Sequence, residues 1–263
     1  MRPFLKKSLG QHFLKDKNII KKTVNLVEVK NKNIIEIGPG KGALTDEILI
    51  KGPRSLTLIE KDQTLSKILR IKYSDNKVVK VYHDDILKIN LERIIENKSI
   101  IFGNLPYNIS SQILIKLIKL NNLEKKISDL IFMFQKELGQ KIIGRYQSNN
   151  YGRLSIISNY KLDFINKFFV SANCFSPKPK VTSMVIHLKP KMKSKFKIAD
   201  LYLLEKVTSV FFSKKRKMIN KSLKSLLNKK QIKNLKNLKL DSRPSDLKPE
   251  IYYKITELLN KSR

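Results

Sequence analysis

The chain has a single cysteine, Cys174, among its 263 residues, so no internal disulfide can form. A chain without disulfides fits a reducing compartment, and the cytoplasm is the expected location. Histidine is nearly as scarce, with three residues scattered at no ligand spacing. No metal site is expected from them. Apolar runs are short. None reaches the roughly 18 residues that mark a membrane-spanning helix. The opening residues, MRPFLKKSLGQHFLKD, hold no apolar core long enough for a secretory signal. Acidic residues are the last scarcity, with 22 Asp and Glu against 55 Lys and Arg.

That imbalance leaves a formal charge of +33, which favours a polyanionic partner, nucleic acid first. Of the basic residues 46 are Lys and only 9 are Arg, and Ile and Asn are abundant too. An AT-biased genome produces the same pattern, so charge alone leaves both origins open. Its distribution is uneven: residues 191–263 carry 18 Lys and 3 Arg against 6 acids, a net of +15. The length allows one large domain, or a medium and a small one, with a sizeable core.

Up to about residue 105, strand and helix patterns alternate. Asp16 can cap a helix running to Val29. Strands are expected at 33–38, 55–60, 77–85 and 99–104, with helices at 42–51 and 62–72, the latter capped by Asp62. Near-continuous apolar strands between helices indicate a parallel sheet covered on both faces. A helix (109–120), a strand (129–135), two helices (136–146 and 151–160) and two strands (161–170 and 181–189) follow. The last two strands, with no long helix between them, are expected as an antiparallel end to the sheet. From Lys191 the pattern is helical only. Two domains are thus expected, 1–190 and 191–263, the second helical and RNA-binding.

Open α/β sheets bind ligands at the carboxyl ends of their strands. The first strand ends in Glu36-Ile37-Gly38-Pro39-Gly40-Lys41-Gly42-Ala43, which satisfies G-x-G-x-x-A. Such a turn lets backbone approach a ligand and presents free N–H groups at a helix start. The second strand ends in Glu60, whose carboxylate can accept from ribose hydroxyls. A dinucleotide and S-adenosylmethionine are equally served so far, and a tight turn without ligand is the plainer alternative. The third strand ends in Asp84-Asp85. Asp85 can accept from an adenine amino group; taken alone, a solvated turn or helix cap explains it as well.

The fourth strand ends in Asn104-Leu105-Pro106-Tyr107. Hydride transfer has no evident use for this sequence, but methylation of an exocyclic amine does. The N6 lone pair of adenine is delocalised into the ring and is a poor nucleophile. The Asn104 side-chain carbonyl and the Leu105 backbone carbonyl can each accept one N6–H bond, which favours pyramidalisation. Pro106 stiffens the turn. Tyr107 offers a face on which an extruded base can stack. An ordinary polar turn is the alternative for the motif in isolation. Downstream, "FSPKPK" sets Phe175 before a rigid basic loop of the kind that carries function on a scaffold; a core Phe between two strands is the other reading. Cys174 reads as a core residue.

These segments, with "KKSLGQHFLKD", "IEKD", "QKELGQKI", "YGRLSI", "FSPKPKVTS" and "FFSKKRKMINKSL", resemble the ribosomal RNA adenine N6,N6-dimethyltransferase family of the kasugamycin-resistance type. Erythromycin-resistance methyltransferases share the core, but their Asn motif more often reads Asn-Ile-Pro-Tyr or ends in Phe. The resemblance implies an α/β, Rossmann-like seven-stranded S-adenosylmethionine-dependent methyltransferase domain with a small C-terminal α-helical domain. It implies dimethylation of N6 on two adjacent adenosines in the 3′-terminal hairpin loop of 16S rRNA, in the small subunit or its precursor, by a monomer. The cofactor would be held by His12, Leu14, Gly38, Glu60, Asp85 and Asn104. Asn104 and Leu105 would hold the target amine, and Tyr107 and Phe175 would sandwich the base. His12 stands where many relatives have Asn. A 23S rRNA adenine-N6 methyltransferase and a non-catalytic ribosome-assembly factor on the same scaffold are the competing expectations.

Overall fold

The computed structural model describes residues 12–192, 194–235 and 238–260. Residues 6–11 of the N-terminal motif lie outside the described residues. In chain order the elements are β1 (Phe13–Leu14), α1 (Lys17–Val24), β2 (Asn33–Ile37), α2 (Ala43–Ile50), β3 (Ser55–Glu60), α3 (Gln63–Lys72), β4 (Val79–His83) and β5 (Ser99–Asn104). Then come α4 (Ser110–Ile118), α5 (Leu123–Lys126), β6 (Ile127–Gln135), α6 (Lys136–Ile142), α7 (Arg153–Lys161), β7 (Leu162–Val170), β8 (Phe175–Ser176) and β9 (Ser183–Pro190). The chain continues with α8 (Leu201–Phe212), α9 (Asn220–Lys224), α10 (Lys229–Lys233) and α11 (Pro249–Asn260).

Seven strands form one sheet in the order β4-β3-β2-β5-β6-β9-β7. β4, β3, β2, β5 and β6 run parallel, and β9 returns antiparallel to β6. The central strands are apolar along nearly their whole length because both sheet faces are covered: Ile34 to Ile37 and Ser99 to Gly103 are all buried. Parallel strands bring their carboxyl ends to one edge. The register sets Ile37 beside both Ile59 and Gly103, so the ends of β2, β3 and β5 lie side by side.

The helix starts follow their caps. Asp16 accepts from the amides of Asn18 and Ile19, and Asp62 from those of Thr64 and Leu65. α1 stops at Val24, short of Val29. The Thr23 hydroxyl bonds back to the Ile19 carbonyl, and after the Asn25–Lys21 bond the ladder tightens, the Leu26 amide reaching only the Thr23 carbonyl at 3.4 Å. Val29 still enters the core from the turn beyond.

One small element has no counterpart in the sequence reading. β1 pairs antiparallel with β8, Phe13 opposite Ser176 and Leu14 opposite Phe175. The Lys15 amide extends the ladder to the Cys174 carbonyl at 2.9 Å. Two residues per strand are too few for periodicity to reveal, yet this pairing fastens the N-terminal segment to the sheet.

Two compact units divide the chain differently from a single cut at Lys191. The first holds the residues up to Gly139 together with Asp163–Pro190, and the second adds Gln140–Leu162 to the C-terminal helices. Tyrosine hydroxyls explain the added segment. Tyr151 donates to the Leu247 carbonyl at 2.8 Å, Tyr160 to Phe196 at 3.0 Å, and Tyr253 to Ile156 at 2.8 Å. α7 therefore packs into the helical unit. Among the described residues no helix is long and apolar enough to cross a membrane.

Candidate active site

A cavity of about 300 Å³ lies where β2, β3 and β5 end. Its lining includes His12, Leu14, Gly38, Gly40, Glu60, Asn104, Leu105 and Tyr107. These residues span four segments that only the parallel sheet and the β1–β8 pairing bring together.

The floor is the glycine turn after β2. Gly40 takes a left-handed φ of +60°, and a Cβ there would come within 2.9 Å of the Phe13 ring. Glycine is thus required by both conformation and space. The turn is tied to the end of β3. One Glu60 carboxylate oxygen accepts from the Gly40 amide at 3.1 Å and the other from the Asp62 amide at 2.9 Å. Burial pushes the Glu60 carboxyl up, against the pull of these two amides. Each oxygen keeps a lone pair for a further donor.

Asn104 ends β5 with its side-chain amide set in one orientation. Nδ2 donates to the His12 carbonyl at 2.8 Å. A backbone carbonyl can only accept, so the NH2 group must face it. Oδ1 is thereby left as an acceptor on a cavity-lining residue. Leu105 follows with its side chain 1% exposed, which anchors the turn. The Tyr107 hydroxyl bonds to Ser183 Oγ at 2.5 Å, and its ring stacks on His12 with centroids 5.6 Å apart and planes 29° from parallel. Burial raises the Tyr107 pKa, so the phenol stays protonated.

Two expected site residues, Phe175 and Asp85, are not on the cavity lining. Phe175 is 2% exposed and packs in the core with Leu14, Val170 and Val185. Strand alternation is the reason: in β8, Phe175 turns inward and its neighbour Ser176 lines the cavity. Asp85 is absent from the cavity lining, whereas its neighbours Asp84 and Ile86 contribute to it. One Asp85 oxygen binds Lys61 Nζ at 2.9 Å and the other caps the Leu87 amide at 2.9 Å. Burial pushes its carboxyl up, but Lys61 and the Leu87 amide together outweigh this, and the pKa is lowered. Among the described residues no group of three or more His, Cys, Asp or Glu is placed to hold a metal.

Glu36 has no role in the sequence reading, although an acid inside the apolar strand NIIEIG is its signal. It lines the cavity, 1% exposed, and accepts from Thr45 Oγ1 at 2.6 Å. Burial pushes its carboxyl up to about 8, the Thr45 bond opposing and Glu60 assisting. Raised above the ordinary 4.5, this group makes the folded state bind a proton that the unfolded state has lost. Stability from Glu36 is therefore complete below pH 4.5, falls as pH rises toward about 8, and is flat beyond. Glu36→Gln is expected to shrink the difference in unfolding free energy between pH 5 and pH 9 by roughly 2–5 kcal/mol. Urea titrations of both proteins at the two pH values check it.

Residues 4–261 match the family model described as ribosomal RNA adenine dimethylase. The chain belongs to that family. Among its relatives is a ribosomal RNA small subunit methyltransferase A of Pelagibacter ubique, 40% identical over 253 residues, with 96% of this chain and 95% of the relative covered. Solved structures repeat the fold. A dimethyladenosine transferase from Plasmodium falciparum superposes with a TM-score of 0.80 at 24% identity, covering 95% of this chain and 98% of its own. A 23S rRNA methyltransferase gives 0.68 at 24%, covering 94% and 99%. The seven-stranded sheet is thus the architecture of a ribosomal RNA adenine dimethylase.

Proposed function

We propose that the chain dimethylates N6 of two adjacent adenosines in the 3′-terminal hairpin loop of 16S rRNA, in the small subunit or its precursor, using S-adenosylmethionine. The observation that carries this reading is the Asn104 amide, which the His12 carbonyl orients so that an acceptor is left on the cavity lining. Asn104 Oδ1 and the Leu105 carbonyl would take the two N6–H bonds and turn the lone pair out of the ring plane. Tyr107 would stack on the base. The relative from Pelagibacter ubique, named for the small subunit, supports this substrate over 23S rRNA. Primer extension across the 3′ end of small-subunit rRNA, with and without the gene, tests the reading. A stop that depends on the gene is expected, and its absence would reject the substrate.

The cavity fits the cofactor by its donors and acceptors. The left-handed glycine turn admits close backbone approach, and the Glu60 carboxylate keeps acceptor capacity for ribose hydroxyls. His12, Leu14 and Gly38 line the same space, and Asp84, which follows β4, lines it too and, with Asp85 beside it, would meet the adenine amine. When bound, S-adenosylmethionine supplies an electrophilic methyl group. Calorimetry is expected to show saturable binding of S-adenosylmethionine and none of NAD. Glu60→Ala should weaken the former by roughly 1–3 kcal/mol, the scale for hydrogen bonds to a charged group.

The helical unit would grip phosphate. Lys214, Lys215, Arg216 and Lys217 follow α8 and are all exposed. Affinity for small subunits is expected to fall linearly on a log–log plot against salt. Replacing these four by Gln should flatten that slope by up to about 3–4, at close to one unit for each phosphate no longer neutralised. An unchanged slope would place the grip elsewhere.

A further inference from the structure

β7 is the terminal strand of the sheet, and its outward face is exposed at every position: Asp163, Ile165, Lys167 and Phe169. Phe169 is 52% exposed and Ile165 48%. An exposed phenylalanine is ordinary in isolation. This one is set apart by its surroundings. Lys136 Nζ lies over its ring, 5.5 Å from the centroid. The Lys136 amide donates to the Thr182 carbonyl at 2.9 Å, and the next residue, Ser183, holds the hydroxyl of Tyr107. A continuous chain of contacts therefore joins the exposed ring to the tyrosine of the cavity. From its carboxyl end β7 leads on to Ser176, on the cavity lining. Lys178 and Lys180, in the same connection, are exposed.

We propose that Phe169, backed by Lys136, is a stacking subsite for an unpaired RNA base neighbouring the target adenosine. An aromatic face accepts any base, and ammonium groups close by meet the phosphates on either side of it. Flanking nucleotides are where an enzyme acting on an extruded base gains its context preference. Charge favours RNA over a protein strand adding to the β7 edge. The chain carries +33, Lys136 lies over the ring, and Lys167 shares its face of β7.

The inference rests on the proposed rRNA methylation, and its test separates the two. Methyl incorporation into unmodified small subunits by the unaltered protein reports on that reading alone. With that activity present, Phe169→Ala is expected to raise KM for the subunits about 5- to 100-fold, with kcat and S-adenosylmethionine affinity within about twofold. Phe169→Leu should resemble Ala, and Phe169→Trp should keep KM near its original value. The chain has no tryptophan, so Trp at this position is a sole reporter. Its fluorescence is expected to be quenched by oligoadenylate and not by inorganic polyphosphate, which offers charge without bases. Full activity of Phe169→Leu would mean apolar packing, and quenching by polyphosphate would mean charge alone. Either result overturns the subsite, as does an unchanged KM for Phe169→Ala with no quench by oligoadenylate.

Discussion

Asn104→Ala is expected to lose about 10²–10³-fold in kcat, the usual cost of removing one preorganised contact to a developing charge. Its S-adenosylmethionine affinity should stay within a few-fold. The contact matters most when the adenine amine acquires positive charge, and an interaction that strengthens in the transition state acts on kcat. The His12 carbonyl makes a second substitution more informative. It receives the Asn104 NH2 group at 2.8 Å. Asn104→Asp keeps an acceptor toward the cavity but sets a carboxylate oxygen against that carbonyl. The Asp variant should therefore be no more active than Ala, and it should loosen the segment at β1. Single-turnover kinetics with calorimetry of the cofactor separates the two effects. A wild-type rate for Asn104→Ala would remove the role assigned to this residue.

Phe175→Ala is expected to cost about 3–5 kcal/mol of stability, the scale for truncating a buried phenylalanine. The side chain is 2% exposed and packed in the main core. Phe175→Leu should recover most of the loss. A ring waiting at the surface for a base would give the opposite pattern, with stability unchanged and only substrate affinity reduced. Urea denaturation, followed by methylation assays on whichever variants remain folded, distinguishes these outcomes.

The sheet was legible because its signals are local and strong. Apolar strands bounded by glycine and acidic residues mark β2, β3 and β5, and Asp16 and Asp62 mark two helix starts. The strand-end rule then located Gly38, Glu60 and Asn104, and the structure puts all three on one cavity. What escaped depends on long-range placement. The β1–β8 pairing joins residues about 160 apart through two residues on each side, too short for any period to show. Without it neither the orientation of Asn104 nor the stacking of His12 on Tyr107 could be anticipated. The inward turn of Phe175 was not legible because a motif places a residue near a site but does not say which face of a two-residue strand it takes. The affiliation of Gln140–Leu162 was hidden because α7 is amphipathic only weakly and the tyrosine bonds that tie this segment down, Tyr151 to Leu247, Tyr160 to Phe196 and Tyr253 to Ile156, join residues far apart along the chain.

The central claim is that the cavity at the ends of β2, β3 and β5 methylates paired adenosines of small-subunit rRNA. The most direct measurement incubates the protein and labelled S-adenosylmethionine with small subunits lacking the modification, then identifies the labelled nucleosides by mass spectrometry of nuclease fragments. The account predicts N6,N6-dimethyladenosine at two adjacent positions of the 3′-terminal hairpin loop, with large subunits unlabelled. Label confined to large-subunit RNA, or no label in RNA while S-adenosylmethionine binds, would contradict it.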